Sequence, residues 1–208
     1  MRRFKASNAA IIVVILLLPS ILLLGISQAY LARWRAERFL AMLEHIQVGT
    51  TKRDAVLEMS RPFRGYMPEA TNSNPLQLGF NFDNHGLVML HLAPYTEFRA
   101  SITFTDGVVV EKQARVFQAS SGCGARVDEK VRGLEFSGGV APNDYPNHIV
   151  HGVSPNSSGL VRHISIEDDN TYGAVQRRAD WDFTLSCMTR FRGCADASLM
   201  LLDARPTK

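Results

Sequence analysis

Between Lys5 and Arg33 the chain carries no charged residue, a gap of 27 residues filled mostly by Ile, Leu, Val and Ala. A helix over residues 9–29 is apolar all round, which excludes an ordinary amphipathic surface helix. A second absence is any excess of positive charge in the body of the chain. Of 23 basic residues, Arg2, Arg3 and Lys5 precede the apolar run, which leaves 20 against 20 acidic ones. A neutral body lacks the cationic surface that phosphate backbones require, so nucleic acid is not an expected partner. Cysteine is scarce, three residues in 208, and no second close pair of Cys or His is available to complete a zinc site. No Cys follows the apolar run, so bacterial lipid attachment is not available there. Neither Ser120-Ser121-Gly122 nor Ser157-Ser158-Gly159 makes a Gly-x-Ser-x-Gly elbow, and there is no Gly-rich phosphate loop. No cofactor is expected.

What is present begins with a membrane segment. A bilayer core of about 30 Å needs roughly 20 apolar residues of helix. Residues 9–26 are almost wholly apolar, and Ser27, Gln28, Ala29 and Tyr30 suit the interface. Pro19 removes one helical bond, which Ser20 and neighbouring carbonyls can help to satisfy. A cleaved signal peptide is the alternative. The basic start and Ser27-Gln28-Ala29 fit one, with cleavage after Ala29, but the apolar run exceeds the usual 7–15 residues. Basic residues flank the segment on both sides, so the charge rule is near a tie. The signal-like start favours an inside N-terminus. The expectation is a single-pass protein of the inner (cytoplasmic) membrane with an extracytoplasmic, periplasmic C-terminal domain, in contact with lipid through residues 9–29. The secreted form, cut after Ala29, is the alternative.

The rest divides into a cytoplasmic tail (1–8), the anchor (9–29), a membrane-proximal helix (30–47), an α+β module (48–118) and a β-rich region with a short terminal helix (119–208). Leu31, Trp34, Phe39, Met42, Leu43 and Ile46 fall near one face of the second helical stretch. Trp34 and Tyr30 suit an interfacial aromatic belt. In residues 48–62, Thr51 reads as an N-cap with Asp54 three residues on. Ala55, Val56 and Met59 give a short apolar face, and Pro62 limits the helix to about two turns. Leu76, Leu78, Phe80 and Phe82 alternate with polar or small residues, a strand pattern. Residues 87–92 read as the returning strand. Residues 100–104 and 108–116 form a hairpin with Asp106-Gly107 as a type I′ turn. Residues 119–124 read as a loop, 127–136 as a strand, 137–158 as irregular, and 160–166 with 181–187 as a second hairpin pair. Glu167-Asp168-Asp169-Asn170 falls near its connection, and 194–203 reads as a short helix. The fold expected is α+β, a single transmembrane helix followed by short helices on an antiparallel sheet.

Gly49, Thr51, Lys52, Asp54, Ala55, Met59 and Pro62 form a pattern that resembles the helix signature of the outer-membrane assembly lipoproteins of the BamE (SmpA/OmlA) family, with Thr50 where that family usually has Met and Ser60 where it usually has Gly. Ile102-Thr103-Phe104-Thr105-Asp106-Gly107-Val108-Val109 resembles the family's strand, Asp-Gly turn and strand. The resemblance covers residues 45–117. It implies a helical pair on a small antiparallel sheet, a fold type shared with the repeats of β-lactamase-inhibitor proteins.

Few residues suggest chemistry. Cys187 and Cys194, seven apart, fit a small-loop disulfide in an oxidising compartment, with two thiols as the alternative. Cys123 lies between glycines, and with a His from elsewhere it is a candidate nucleophile. His148 and His151 are the closest histidine pair, and His163 with Asp168 and Asp169 is the remaining combination for a metal, although strand spacing opposes the first and calcium-loop spacing is missing from the second. The expected function is a membrane-anchored interaction or structural module that recruits a protein partner. The alternative is a membrane-tethered hydrolase or thiol enzyme using Cys123 or His151. An inhibitor-like binder rests on fold analogy.

Overall fold

The structure, a computed structural model, describes residues 3–67, 76–131, 148–153, 163–169, 180–194 and 196–201. Helix α1 runs unbroken over Arg3–His45, 43 residues, about 65 Å at 1.5 Å per residue. The stretches read as an anchor (9–29) and as a membrane-proximal helix (30–47) therefore fall, up to His45, on one rod. Pro19 lies inside it. The carbonyl that Pro19 leaves without a donor is that of Ile15. Ser20 Oγ donates instead to Leu16 O, at 2.8 Å, one residue further on.

The rod has two environments. Val13, Ile15 to Leu18 and Ile21 to Leu24 are exposed, Leu24 at 69%. Beyond them Ala29, Ala32, Ala36, Phe39, Leu40, Leu43 and Ile46 are buried in a stripe at three- and four-residue spacing. The stripe differs from the expected one. Leu31 and Trp34 face outward, with the Arg38 guanidinium 4.9 Å above the Trp34 ring. Alanines take the inner positions nearest the apolar half, which lets the rod approach the domain closely.

After α1 the chain turns through Gly49, whose φ is +86°. Helix α2, Arg53–Met59, has the expected two turns. Its N-cap is Lys52 and not Thr51, whose Oγ1 accepts from Gln47 N at 2.8 Å. Val56 is its buried residue, while Ala55 is exposed. Ser60 ends it with φ −82° and ψ −4°, and a 3-10 helix, Arg61–Tyr66, follows. A left-handed stop is therefore not used, and Ser serves where Gly would otherwise be needed.

The sheet has six strands in the order β1-β2-β3-β4-β6-β5. They are β1 Leu76–Asp83, β2 Thr96–Thr105, β3 Val108–Gln118, β4 Cys123–Lys130, β5 His148–Val153 and β6 His163–Asp169. The expected antiparallel sheet is corrected to a mixed one, because β4 and β6 run parallel. The Asp106-Gly107 turn is as expected, with φ of +51° and +75°. Residues 87–92 are not a strand: helix α3 spans His85–Met89. Asn84 dictates this. Its Oδ1 accepts from Thr96 N at 2.9 Å and its Nδ2 donates to Pro94 O at 2.9 Å, so the loop closes on itself and β1 pairs directly with β2.

Other boundaries shift as well. The strand expected at 127–136 begins at Cys123 and ends at Lys130. Residues 163–166 of the one expected at 160–166 belong to β6, which also takes in Glu167, Asp168 and Asp169. Residues 132–136 and 160–162 lie outside the described residues. Within the stretch read as irregular, residues 148–153 form β5. Residues 181–187 hold an isolated bridge, Phe183 to Leu201, and a 3-10 turn, Leu185–Met188, in place of a strand. The terminal helix reduces, within the described residues, to a 3-10 turn, Ala197–Leu199.

One face of the sheet meets α1. Phe39 lies 4.3 Å from Phe80, 5.1 Å from Phe63 and 5.6 Å from Phe82, ring centre to ring centre. A bulge opposite Thr103 and Phe104 puts both Val109 and Lys112 on this inner face. Lys112 is the exceptional residue there. Its Nζ donates to Leu43 O at 3.1 Å and Ile46 O at 2.9 Å, carbonyls at the end of α1. It pairs with Glu129 at 3.1 Å and lies 4.5 Å above the Trp181 ring. Both charged side chains are 4% exposed or less. Replacing Lys112 with Met strips a cation from the helix C-terminus and leaves Glu129 facing the same site. Unfolding by denaturant should show a loss of about 3–5 kcal/mol. The double variant Lys112→Met, Glu129→Leu should recover most of it.

Candidate functional site

The sequence candidates do not converge. Cys123 is buried at the start of β4, opposite Gln118. His151 lies in β5 opposite Ser165, which in turn lies opposite Arg126. That places His151 three residues along and two strands across from Cys123, roughly 10 Å in each direction. His148 is in the same strand, opposite Asp168. His163 is exposed at the start of β6 while Asp168 is buried towards its end. Among the described residues no three His, Cys, Asp or Glu form a group suited to a metal ion.

Cys187 and Cys194 are joined as a disulfide with Cα atoms 5.4 Å apart. A 3-10 turn, not a strand end, supplies the geometry. The loop between them is fixed at both ends. Cys194 N donates to Gln118 Oε1 at 2.7 Å, and Thr189 Oγ1 receives a hydrogen bond from Arg33 of α1 at 3.2 Å. Its tip, Arg190-Phe191-Arg192, is exposed.

Sequence reasoning did not single out two features, a cleft with the form of a binding surface and a close junction between two helices. The first is a cleft of about 820 Å³ on the sheet face away from α1. Its walls include Tyr66, Met67, Asn81, Arg99, Gln113 and Arg115. Arg99 and Arg115 stand directly opposite each other in the register, a like-charge pair that would repel without a third group. Glu97 supplies it, 2.9 Å from Arg99 and 3.8 Å from Arg115. Tyr95 Oη donates to the same carboxylate at 2.9 Å. Burial, with the Glu97 bond and charge added, raises the Tyr95 pKa above its usual 10.0. Glu97 is 3% exposed while both arginines are about half exposed. Two guanidiniums thus share one buried carboxylate, and the cleft keeps a net positive charge among amides and the hydroxyls of Ser101 and Tyr66.

The second is the junction of α1 with α3. Gly25 and Gly86 meet so closely that a Cβ on Gly86 would lie 2.7 Å from the Gly25 carbonyl oxygen. Gly86 N donates to Gln28 Oε1 at 2.8 Å. Leu90 fills the space beside Gly25. Small residues at this crossing let two backbones touch, as in close helix packing.

Beyond the cleft on the same face, Asp128 is fully buried. Gln113 Nε2 donates to it at 2.6 Å, and Arg126 pairs with it at 2.6 Å. Burial raises its pKa above 3.8 despite these partners.

No protein-family model, no curated protein and no solved structure matches this chain.

A folded-state pKa above the unfolded one means that the folded protein binds the proton more tightly. Asp128 therefore adds stability below pH 3.8 and loses that contribution as pH rises through its folded value. The variant Asp128→Asn should unfold at an equal or higher denaturant concentration at neutral pH. Its stability-against-pH curve should be flatter than that of the parent in the acid range. The cysteines give a second test. Alkylation of the native protein should leave Cys123 unmodified, denaturation without reduction should expose that one thiol, and reduction should expose all three cysteines. Cys187→Ser should cost about 2–3 kcal/mol for so short a loop.

Proposed function

We propose that the chain is a single-span membrane protein whose α+β domain is carried rigidly at the bilayer, outside the cytoplasm, and recruits a protein partner through the positively charged cleft. The observation that carries this reading is the division of α1. Among the described side chains of its apolar half, residues 15–24 are all exposed, and its other half supplies the core stripe from Ala29 to Ile46. An exposed apolar cylinder of this size is costly in water, at roughly 25 cal/mol per Å², and it costs nothing in a bilayer. The disulfide supports an oxidising compartment.

The same helix supports retention over cleavage. Ala29 is fully buried, and Gly25 and Gln28 hold α3. A cut after Ala29 would remove both contacts and shorten the rod inside its seat. The resemblance of residues 45–117 to the outer-membrane assembly lipoproteins adds, as part of the proposal, a partner in the cell envelope.

The cleft suits an extended segment that carries a carboxylate. Arg99 and Arg115 can each release part of their hold on Glu97 to receive it, and Ser101, Gln113 and Asn81 offer hydrogen bonds. A photoreactive amino acid at Gln77 or Ser101 should trap one defined protein in intact cells, and one at Asp106, on the exposed far turn, should not. The Arg115→Gln variant, which keeps the closer Arg99 on Glu97, should weaken that adduct several-fold while leaving the stability within about 1 kcal/mol of the parent. Adducts of equal yield at all three positions, or none, would remove the cleft from the proposal. Intact mass of the purified protein should correspond to a chain that retains residues 1–29. A mass beginning at Tyr30 would remove the anchor.

A further inference from the structure

From the junction of α1 and α3 we infer a second, shallow membrane contact. The tip of α3 and the disulfide loop form a lipid-binding rim that inserts into the headgroup layer of the bilayer α1 crosses. The inference rests on the anchor reading of α1.

Depth carries the argument. Residues 9–26 at 1.5 Å each span about 27 Å, close to the thickness of a hydrocarbon core. Gly25 is therefore in the last apolar turn, at the hydrocarbon boundary. Helix α3 is in backbone contact with Gly25, through Gly86, and its Leu90 packs on the same glycine. A segment touching that turn cannot stand clear of the membrane. Its composition fits the place: of Leu87-Val88-Met89-Leu90, only Leu87 is buried in the domain, and Met89 is 68% exposed. Met89 is thus a large apolar side chain presented at the depth where interfacial segments bury, about 5–10 Å into the headgroup and acyl boundary.

The disulfide loop extends this rim towards the aqueous side. Gly193 packs beside Pro94, in the segment that follows α3, and Thr189 is bonded to Arg33, two turns above Gly25. The tip is an exposed Phe191, 57% accessible, between Arg190 and Arg192. With its root about 12 Å above Gly25, the loop stands at the outer edge of the headgroup layer, where an aromatic ring between two cations complements anionic phospholipid. The rim fixes the tilt of the domain, since it adds contacts to the side of the rod that bears α3.

The test uses the full chain in vesicles of phosphatidylcholine and phosphatidylglycerol. An environment-sensitive fluorophore is attached in turn through Leu24→Cys, Met89→Cys, Phe191→Cys and Asp106→Cys, with the disulfide intact and Cys123 buried. Quenching by spin-labelled lipid and by aqueous iodide is then compared. Labels at 24, 89 and 191 should be quenched by the lipid probe several times more strongly than the label at 106, and 106 should be the most sensitive to iodide. If 24 is lipid-quenched while 89 or 191 behaves like 106, the rim is not a membrane contact and the inference fails with the anchor intact. If 24 itself behaves like 106, the anchor reading fails and takes the rim with it.

Discussion

The contact between Lys112 and the end of α1 ties together parts of the chain that have little else in common. One ammonium group satisfies two carbonyls that a helix end leaves open, neutralises Glu129 on the neighbouring strand and seats on Trp181. Helix, sheet and C-terminal segment therefore meet at a single charge. Burying a cation is expensive unless it is both paired and hydrogen-bonded. Here the backbone carbonyls do much of that work, and the helix dipole makes their end of α1 a favourable place for positive charge. The β-bulge is the device that makes it possible. In a regular strand, Val109 and Lys112 would point to opposite faces, and the extra residue turns both inward.

The same bulge explains much of what the sequence did and did not disclose. Asp106-Gly107 announced its turn plainly, and the alternation of Leu78, Phe80 and Phe82 announced β1. A two-residue turn without a bulge would pair Arg99 with Ala114. The observed partner is Arg115, so the arginine pair of the cleft is invisible until the slip is known. Residues 87–92 misled for a different reason. Their apolar run suits a strand, but Asn84 closes the loop and Gly86 docks on Gly25, a partner 61 residues away that local pattern does not contain. The parallel pairing of β4 with β6 is likewise a long-range fact. The cysteine pair was legible because a separation of seven is itself a geometric constraint. Its neighbour Cys123 looked available in a small-residue loop, yet it begins a central strand and is buried.

The apolar half of α1 was the most legible feature, and the structure adds how it joins the rest. Trp34 and Leu31 suggested an inner face by hydrophobicity alone. The stripe used is instead Ala29, Ala32 and Ala36 before the larger residues begin. Small side chains bring the rod close to α3, and large ones further along fill the space over the sheet. Hydrophobicity separates lipid-facing from water-facing positions well. It separates lipid-facing from core-facing positions poorly, because both are apolar. Side-chain size, not polarity, marks where α1 passes from one surrounding to the other.

An unbroken rod also sets a limit on reach. From Ala29 to His45 the helix climbs about 24 Å, and no flexible tether lies between the apolar half and the folded body. In the proposed arrangement the cleft sweeps only a thin shell above the bilayer as the protein diffuses sideways. Encounters are then two-dimensional, and partners carried in the same membrane meet the cleft at a far higher local concentration than freely dissolved ones. A partner rooted elsewhere would have to extend into that shell to be met at all.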